Sequence, residues 1–274
     1  MLLIHLKAII LGIVEGLTEF IPISSTGHMI LIGDIIQFTG EKASTFEVFI
    51  QLGAILAIVI IYKKRFIGLI PYPTPGKTIF NQLPDDNAIL TVRHIIVAIV
   101  PFLIVGFLMH GVIKEHLFNP VTVAMGLIVG GVLMIIVECL SVKKTVESVD
   151  DLSLKQCFLI GLGQCFTVWP GISRSGSTMI TGLLIGVKHK PVADFSFIIA
   201  VPVMCAAVGY DMLKSLKFLE ISDLSYFLIG FLISFIVARA SVKWFLKVLT
   251  TIKLIPFGIY RILLGSLALW YFYY

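Results

Sequence analysis

The sequence predicts an all-α polytopic membrane protein with an inverted-topology repeat, in which each half is a re-entrant helical hairpin plus three transmembrane helices. Three observations lead to this prediction: the chain is apolar throughout, six segments could each span a bilayer, and two further segments are interrupted and match each other. Of 274 residues, 58% are hydrophobic and 14% charged, and the mean hydropathy is +1.03. This composition excludes an ordinary soluble domain. We expect one integral membrane domain over 1–274, with repeats over about 1–140 and about 150–274.

The six apolar segments are long enough to cross a hydrocarbon core of about 30 Å, which takes about 20 helical residues. They comprise residues 46–62, 89–109, 121–139, 194–213, 225–246 and 254–273. Charged side chains near span ends usually extend to the headgroups, and we expect this of Arg93, Glu138, Arg239 and Arg261. Asp194 is expected to cap the helix that begins there. Glu47 and Gln51, one turn apart, either line a cavity or hydrogen-bond between helices.

Residues 2–36 and 156–187 are apolar at both ends but contain proline, glycine and hydroxyl residues in the middle. Non-helical backbone persists at membrane depth only where protein or a water-filled cavity satisfies its polar groups. Each stretch is therefore predicted to be a re-entrant hairpin, which enters the membrane and returns to the same side.

The two interrupted stretches match each other at an offset of 149 residues. The segment "ISSTG" at 23–27 aligns with "ISRSG" at 172–176, and Phe46 aligns with Phe195 at the start of the following span. Because each half crosses the membrane an odd number of times, the halves must run in opposite directions. The hairpins are then expected to enter from opposite faces and to meet near the midplane.

The distribution of lysine and arginine between the loops predicts the orientation of the chain. By the positive-inside rule, the face that carries more of these residues is cytoplasmic. One face carries 11, namely Lys63, Lys64, Arg65, Lys77, Lys143, Lys144, Lys155, Lys188, Lys190, Lys247 and Lys253, and the other carries 4, namely Lys42, Lys114, Lys214 and Lys217. Both termini and the mouth of the first hairpin are thus predicted to face outward.

The first hairpin contains two carboxylates, Glu15 and Glu19, within "EGLTEFIPISSTGH" (15–28). Their spacing places them on one helix face, about 5–6 Å apart, where buried like charges repel unless a cation lies between them. We predict that they hold a divalent cation, Mg²⁺ or Ca²⁺, whose shell is completed by substrate phosphate oxygens and water. The alternative is a surface amphipathic helix with solvated carboxylates, but the apolar neighbours leave little room for a polar stripe.

The turn after Pro22 and its counterpart in the second half are rich in groups that bind phosphate or transfer protons. The first turn offers Ser24, Ser25, Thr26 and His28, and the second, "PGISRSGST" at 170–178, offers Ser173, Arg174, Ser175 and Thr178. Free backbone N–H groups where a helix begins bind phosphate, and an arginine can clamp phosphoryl oxygens. A single serine in a membrane helix usually bonds back to a carbonyl, but the repeated combination indicates a phosphate site.

These motifs closely resemble the two signature motifs of the bacterial undecaprenyl-diphosphate phosphatases, also known as the bacitracin-resistance proteins. The resemblance covers essentially the whole chain, through "TFEVFIQLGAILA" (45–57), "FNP" (118–120), "TVWPG" (167–171) and "IPFGIYR" (255–261). It implies interdigitated inverted repeats in the bacterial cell membrane. The implied activity is hydrolysis of undecaprenyl diphosphate to undecaprenyl phosphate and phosphate, which recycles the lipid carrier for cell-wall synthesis.

The resemblance also implies roles for individual residues. Glu15 and Glu19 handle the metal and the diphosphate, Ser25 and His28 take part in the attack on phosphorus, and Arg174 binds phosphate. The identity of the nucleophile is left open. Ser25 attacks with His28 or a carboxylate as base, or His28 either activates a water or is itself phosphorylated.

A second class of function shares this architecture. Secondary carriers also place broken helices of inverted repeats at the midplane, so the alternative is a polyprenyl-phosphate flippase, or a protein that both hydrolyses and flips. The convergence of carboxylates, hydroxyl, histidine and arginine favours an enzyme, because a carrier needs no poised nucleophile and base. A structural subunit would not bury so many ionisable groups, and the basic residues are too dispersed for nucleic acid. The predicted partner is a lipid diphosphate, and a homodimer is left open.

Overall fold

The computed structural model describes residues 2–69, 90–112, 117, 119–215 and 219–273. Residue 89 of the second predicted span, Phe118 of the "FNP" segment, and Lys77, Lys114 and Lys217 of the orientation count lie outside these residues. The described α-helices are α1 (Leu2–Thr18), α2 (Ser25–Ile35), α3 (Glu41–Ile61), α4 (Lys63–Gly68), α5 (Val92–Val112), α6 (Pro120–Cys139), α7 (Leu154–Gln164), α8 (Arg174–Leu184), α9 (His189–Ser215), α10 (Leu224–Val248) and α11 (Ile255–Tyr273). Within the described residues there is no β-strand.

The prediction of an all-α polytopic membrane protein is confirmed. Six helices are long and apolar enough to cross a membrane, and they correspond to the six predicted spans: α3, α5, α6, α9, α10 and α11. Their boundaries follow local signals. For example, Asn119 caps α6 by accepting a hydrogen bond from Thr122 N at 3.0 Å, and Pro120 occupies the first turn, where its missing N–H costs nothing.

The start of α9 differs from the prediction. The helix begins at His189, because Pro191 is compatible with a first helical turn. Asp194 therefore lies inside the helix, and the prediction that it caps the helix is wrong. Its carboxylate instead accepts a hydrogen bond from the Tyr62 hydroxyl at 2.5 Å, which ties the end of α3 to the beginning of α9.

The two interrupted stretches are broken where the sequence predicts. Residues 19–24 separate α1 from α2, and a 3₁₀ turn at Cys165–Val168 followed by residues 169–173 separates α7 from α8. In each half the two short helices pack against each other. Their re-entrant course through a membrane stays a prediction.

The helices pack at backbone distance through glycines, as is typical of membrane proteins, where lipid supplies no hydrophobic drive for association. A Cβ on Gly16 of α1 would lie 2.7 Å from Ser234 O of α10, and one on Gly131 of α6 would lie 2.6 Å from Gly258 O of α11. The contacts between helices repeat in the two halves, in which α1, α3, α5 and α6 correspond to α7, α9, α10 and α11. Helix α1 packs on α10, and its counterpart α7 packs on α5; α3 packs on its own counterpart α9, and α6 on its own counterpart α11. This pattern agrees with a repeat, whose inverted orientation stays a prediction.

The four charged residues expected to reach the headgroups behave differently from one another. Arg93 and Arg239 are exposed, as expected. The Glu138 side chain is only 3% exposed and pairs with His189, and Arg261 is 0% exposed. The expectation is therefore wrong for Glu138 and Arg261, because both find polar partners inside the bundle.

Candidate active site

The two breaks meet at a cavity of about 170 Å³. Six of the predicted site residues belong to its wall, namely Glu19, Ser24, Ser25, Thr26, Ser173 and Arg174. The remaining described wall residues are Gln51, Phe102, Thr167, Pro170, Gly171, Ile172, Val203, Met204 and Ala207. One side of the cavity is therefore polar and formed by the two motifs, and the other is largely apolar and formed by α5 and α9.

The helices that follow the two breaks begin in the same way. Ser24 caps α2 by accepting a hydrogen bond from Gly27 N at 3.4 Å, and Ser173 caps α8 by accepting one from Gly176 N at 3.2 Å. Because both caps line the cavity, the N-terminal ends of both helices, which carry the positive ends of the helix dipoles, lie at it. The two caps differ in backbone conformation, since φ is 69° at Ser24, a strained value for serine, but −53° at Ser173.

A hydroxyl, a carboxylate and a guanidinium are joined on the cavity wall. The Ser25 hydroxyl donates to Glu19 Oε2 at 2.5 Å, and Arg174 Nη2 donates to Glu19 Oε1 at 3.4 Å. The Glu19 and Arg174 side chains are 9% and 11% exposed, so they form a nearly buried ion pair. The carboxylate can thus accept the proton of a serine nucleophile while the guanidinium remains close to an incoming anion.

The position of Arg174 is fixed by its surroundings. Its Nη1 donates to Ser196 O of α9 at 3.0 Å, and its guanidinium lies over the Phe20 ring, 5.5 Å from the centroid. The Thr178 hydroxyl hydrogen-bonds to Ser196 Oγ at 2.6 Å. Ser196 therefore anchors two residues of the second motif.

Ser175 and Thr178 are fully buried and do not belong to the cavity wall. Ser175 Oγ lies 3.0 Å from Ser173 Oγ, and the Thr178 hydroxyl also bonds back to Ser175 O at 2.9 Å. The structure therefore places these two residues around the cap of α8. Their predicted contact with substrate stays a prediction.

His28 lies on the second turn of α2, but its ring is engaged away from Ser25. Nδ1 lies 2.8 Å from Ser24 O, and because a carbonyl can only accept, Nδ1 donates this bond. Nε2 lies 2.7 Å from the Tyr260 hydroxyl of α11, and the two rings are stacked with centroids 5.6 Å apart. Both ring nitrogens thus have partners, and His28 is not part of the cavity wall.

Glu15 is 1% exposed and lies one helical turn before Glu19. Its Oε1 is buried without a hydrogen-bond partner, which is costly for a carboxylate unless a further ligand is bound. No group of three or more histidine, cysteine, aspartate or glutamate residues suited to a metal occurs among the described residues. Both oxygens of Glu19 are engaged, by Ser25 and by Arg174, and Glu15 does not belong to the cavity wall, so a divalent cation held by the two carboxylates stays a prediction.

Some residues of the site were not found from the sequence. Gln51 belongs to the wall, as one of the two interpretations had it, whereas Glu47 does not. Ser196 was missed, although the offset of 149 residues pairs it with Glu47 and could have drawn attention to it. Phe102 gave no signal, since a single aromatic residue in an apolar segment is ordinary, whereas Thr167 begins the "TVWPG" segment but was not predicted as a site residue.

The fold and the site together define a polytopic α-helical membrane protein in which a hydroxyl, a carboxylate and a guanidinium are joined on the wall of one cavity. The chain belongs to the bacitracin resistance protein BacA family, whose family model matches residues 8–267. It is 49% identical over 262 residues to undecaprenyl-diphosphatase 1 of Bacillus anthracis, covering 96% of each chain. It is also 49% identical over 260 residues to undecaprenyl-diphosphatase 1 of Bacillus thuringiensis (strain Al Hakam), covering 95% of each chain.

Proposed function

We propose that this protein hydrolyses undecaprenyl diphosphate to undecaprenyl phosphate and inorganic phosphate. The observation that carries the proposal is the Ser25 hydroxyl held on Glu19 beside Arg174, on the wall of one cavity. The names of its relatives state this class of activity for them. The reaction would recycle the lipid carrier for cell-wall synthesis and contribute to bacitracin resistance.

In the proposed reaction, Ser25 Oγ attacks the terminal phosphorus while Glu19 accepts the hydroxyl proton. The bond from that phosphorus to the bridging oxygen breaks, and undecaprenyl phosphate leaves with the electron pair. Water then attacks the phosphoserine, inorganic phosphate is released, and Oγ regains a proton. The 2.5 Å contact between Ser25 Oγ and Glu19 Oε2 supports this pairing of nucleophile and base.

His28 is a weaker candidate for the base. A base must reach the proton that it removes, and both nitrogens of this ring already have partners, Ser24 O and the Tyr260 hydroxyl. In the proposal His28 therefore orients the turn that carries Ser25, and Glu19 takes the proton.

Charge neutralisation is the other requirement of phosphoryl transfer. Arg174 lies beside Glu19 and borders the cavity, so it can bind a phosphoryl oxygen. The N-termini of α2 and α8, whose cap residues line the same cavity, would add to the attraction for an anion. A divalent cation held by Glu15 and Glu19 would neutralise further charge on the diphosphate.

The setting of the site suits a lipid-linked substrate. The polar side of the cavity would take the diphosphate, and the apolar side, which includes Phe102, Val203 and Met204, would take the first part of the isoprenoid chain. The protein is a multi-pass membrane protein. Its bacterial relatives support placing it in the bacterial cell membrane, and the excess of lysine and arginine in one set of loops supports an orientation with the site facing the outer side.

The proposal is tested by measuring phosphate release from undecaprenyl diphosphate with the detergent-purified protein, with and without Mg²⁺. Arg174→Ala should abolish release, while Arg239→Ala, which removes an exposed arginine, should not. Rapid acid quenching during turnover should trap an acid-stable phosphoserine that Ser25→Ala lacks. An acid-labile phosphoenzyme would instead assign the attack to His28, and absence of release from folded wild-type protein would favour the flippase.

A further inference from the structure

Among the residues that the structure describes, Arg261 of α11 is the largest fully buried side chain, with 0% exposure. Neither the wall of the cavity nor the proposed reaction includes it. Within the described residues it forms no ion pair with a carboxylate. A buried cation without a carboxylate is expensive to maintain, so its retention calls for a physical explanation.

The guanidinium joins the two breaks of the fold. Nη1 donates to Pro22 O at 3.4 Å, and Nη2 donates to Gly171 O at 2.9 Å and to Gly126 O of α6 at 3.2 Å. Pro22 lies three residues before Ser25, and Gly171 lies three residues before Arg174. One side chain therefore holds the turn that carries the nucleophile and the turn that carries the phosphate clamp.

The arrangement requires an arginine. Carbonyls in a turn lack the partners that helical carbonyls have, and at membrane depth each unsatisfied carbonyl costs several kcal/mol. A guanidinium presents five N–H donors in a rigid plane, so it can address carbonyls on separate segments at fixed angles, whereas a lysine ammonium is a compact charge on a flexible stem.

The surrounding glycines leave the space that the guanidinium fills. A Cβ added to Gly130 of α6 would lie 2.1 Å from Arg261 Nη2, and one added to Gly176 of α8 would lie 3.0 Å from Nη1. Any side chain at position 130 must therefore displace the guanidinium from its carbonyl acceptors.

We propose that Arg261 is a positioning residue, which sets the distance between Ser25 and Arg174 by joining the turns at Pro22 and Gly171. A role confined to packing α11 against α6 would need only the contact with Gly126. Two of its three acceptors lie in the turns instead, so the proposal concerns the geometry of the reaction. It rests on the proposed phosphatase function only for its kinetic consequence.

Arg261→Met and Arg261→Lys test the proposal, with Arg239→Met as the matched control on an exposed arginine. Rates are normalised to the folded, monodisperse fraction of each variant. We expect kcat to fall about 100-fold in both Arg261 variants with KM changed less than about threefold, because the reacting groups are misplaced rather than removed. Full activity in Arg261→Lys would mean that charge alone suffices, which would overturn the bridging role.

Hydrogen–deuterium exchange provides a readout that does not depend on activity. In Arg261→Met, the segments around 19–24 and 169–173 should exchange faster while the spans keep their protection. A uniform rise in exchange along the chain would indicate a general packing role and would overturn the proposal. A third outcome is that wild-type protein shows no hydrolysis while both turns still exchange faster together in Arg261→Met. In that case the proposed function would fail, but the joining of the turns by Arg261 would stand.

A second variant displaces the Arg261 guanidinium without changing Arg261 itself, by filling the space beside it. Gly130→Ala should reproduce the kinetic defect of Arg261→Met, whereas Gly106→Ala on α5, where a Cβ meets nothing within 4 Å, should be neutral. Because both changes break the same contacts, the double variant should be no slower than Arg261→Met alone. Multiplied defects in the double variant would show that the two residues act independently, contrary to the proposal.

Discussion

Replacing Glu19 by glutamine tests the chemistry of the site most directly. The amide has nearly the shape of the carboxylate, so it can still contact Ser25 and Arg174, but it cannot accept the serine proton. General-base catalysis contributes about 10²–10⁴-fold, and a loss of about 10³-fold corresponds to about 4 kcal/mol of barrier. Arg174 keeps its bond to Ser196 O, but the exchange removes the charge from a nearly buried ion pair, which should cost about 3–5 kcal/mol of stability.

The assay is single-turnover phosphate release at saturating substrate, with thermal unfolding in the same detergent as a check on the fold. We expect Glu19→Gln to unfold at a lower temperature than the wild type but still cooperatively, while its chemical step slows by about three orders of magnitude. A Glu19→Gln rate within about tenfold of wild type, beside an inactive Ser25→Ala, would refute the assignment of the base to Glu19.

Three further predictions follow from the geometry. Glu15→Gln should raise the Mg²⁺ concentration for half-maximal phosphate release by about tenfold or more, as measured by metal titration after chelation, because it removes one carboxylate of the proposed pair. Gly171→Ala should lower the melting temperature more than Gly40→Ala. Both glycines have positive φ, 93° and 96°, and the backbone strain of an alanine there costs about 1–3 kcal/mol. Only at Gly171 would the added Cβ also clash, at 2.1 Å from a backbone carbonyl oxygen. Acidification from about pH 5 to about pH 3 should lower the melting temperature of wild type slightly more than that of Asp150→Asn. Burial raises the pKa of Asp150, but hydrogen bonds from Arg65 and Leu90 N outweigh burial and hold the pKa below its ordinary value. The ionised Asp150 therefore stabilises the fold above about pH 4, and this contribution is lost as pH falls through the lower pKa of the folded state.

The helices and their interruptions were predictable because local sequence determines them. Apolar length specifies a span, and the proline at position 22 and the glycine at position 171 interrupt the helical pattern. The matching caps at Ser24 and Ser173 also follow from sequence, since a serine at a helix start usually accepts from the backbone three residues on. Most of the polar residues on the cavity wall were therefore predicted from the two sequence motifs.

Contacts between distant segments were not predictable. Arg261 was expected at the headgroups because it was placed near the end of a predicted span, but its acceptors are 90 to 239 residues away in the sequence. His28 follows Ser25 by three residues, which suggests a joint role, yet its ring direction is set by Tyr260, 232 residues further on. Only the folded arrangement decides which partner such a side chain meets.

The helix starts that face the cavity have a practical consequence for capturing the substrate complex. Their contribution to anion binding comes from peptide groups, which no side-chain substitution removes and which do not titrate. Variants that lack the Ser25 hydroxyl should therefore lose turnover before they lose affinity. Such inert proteins are the natural starting material for trapping the intact lipid diphosphate in place.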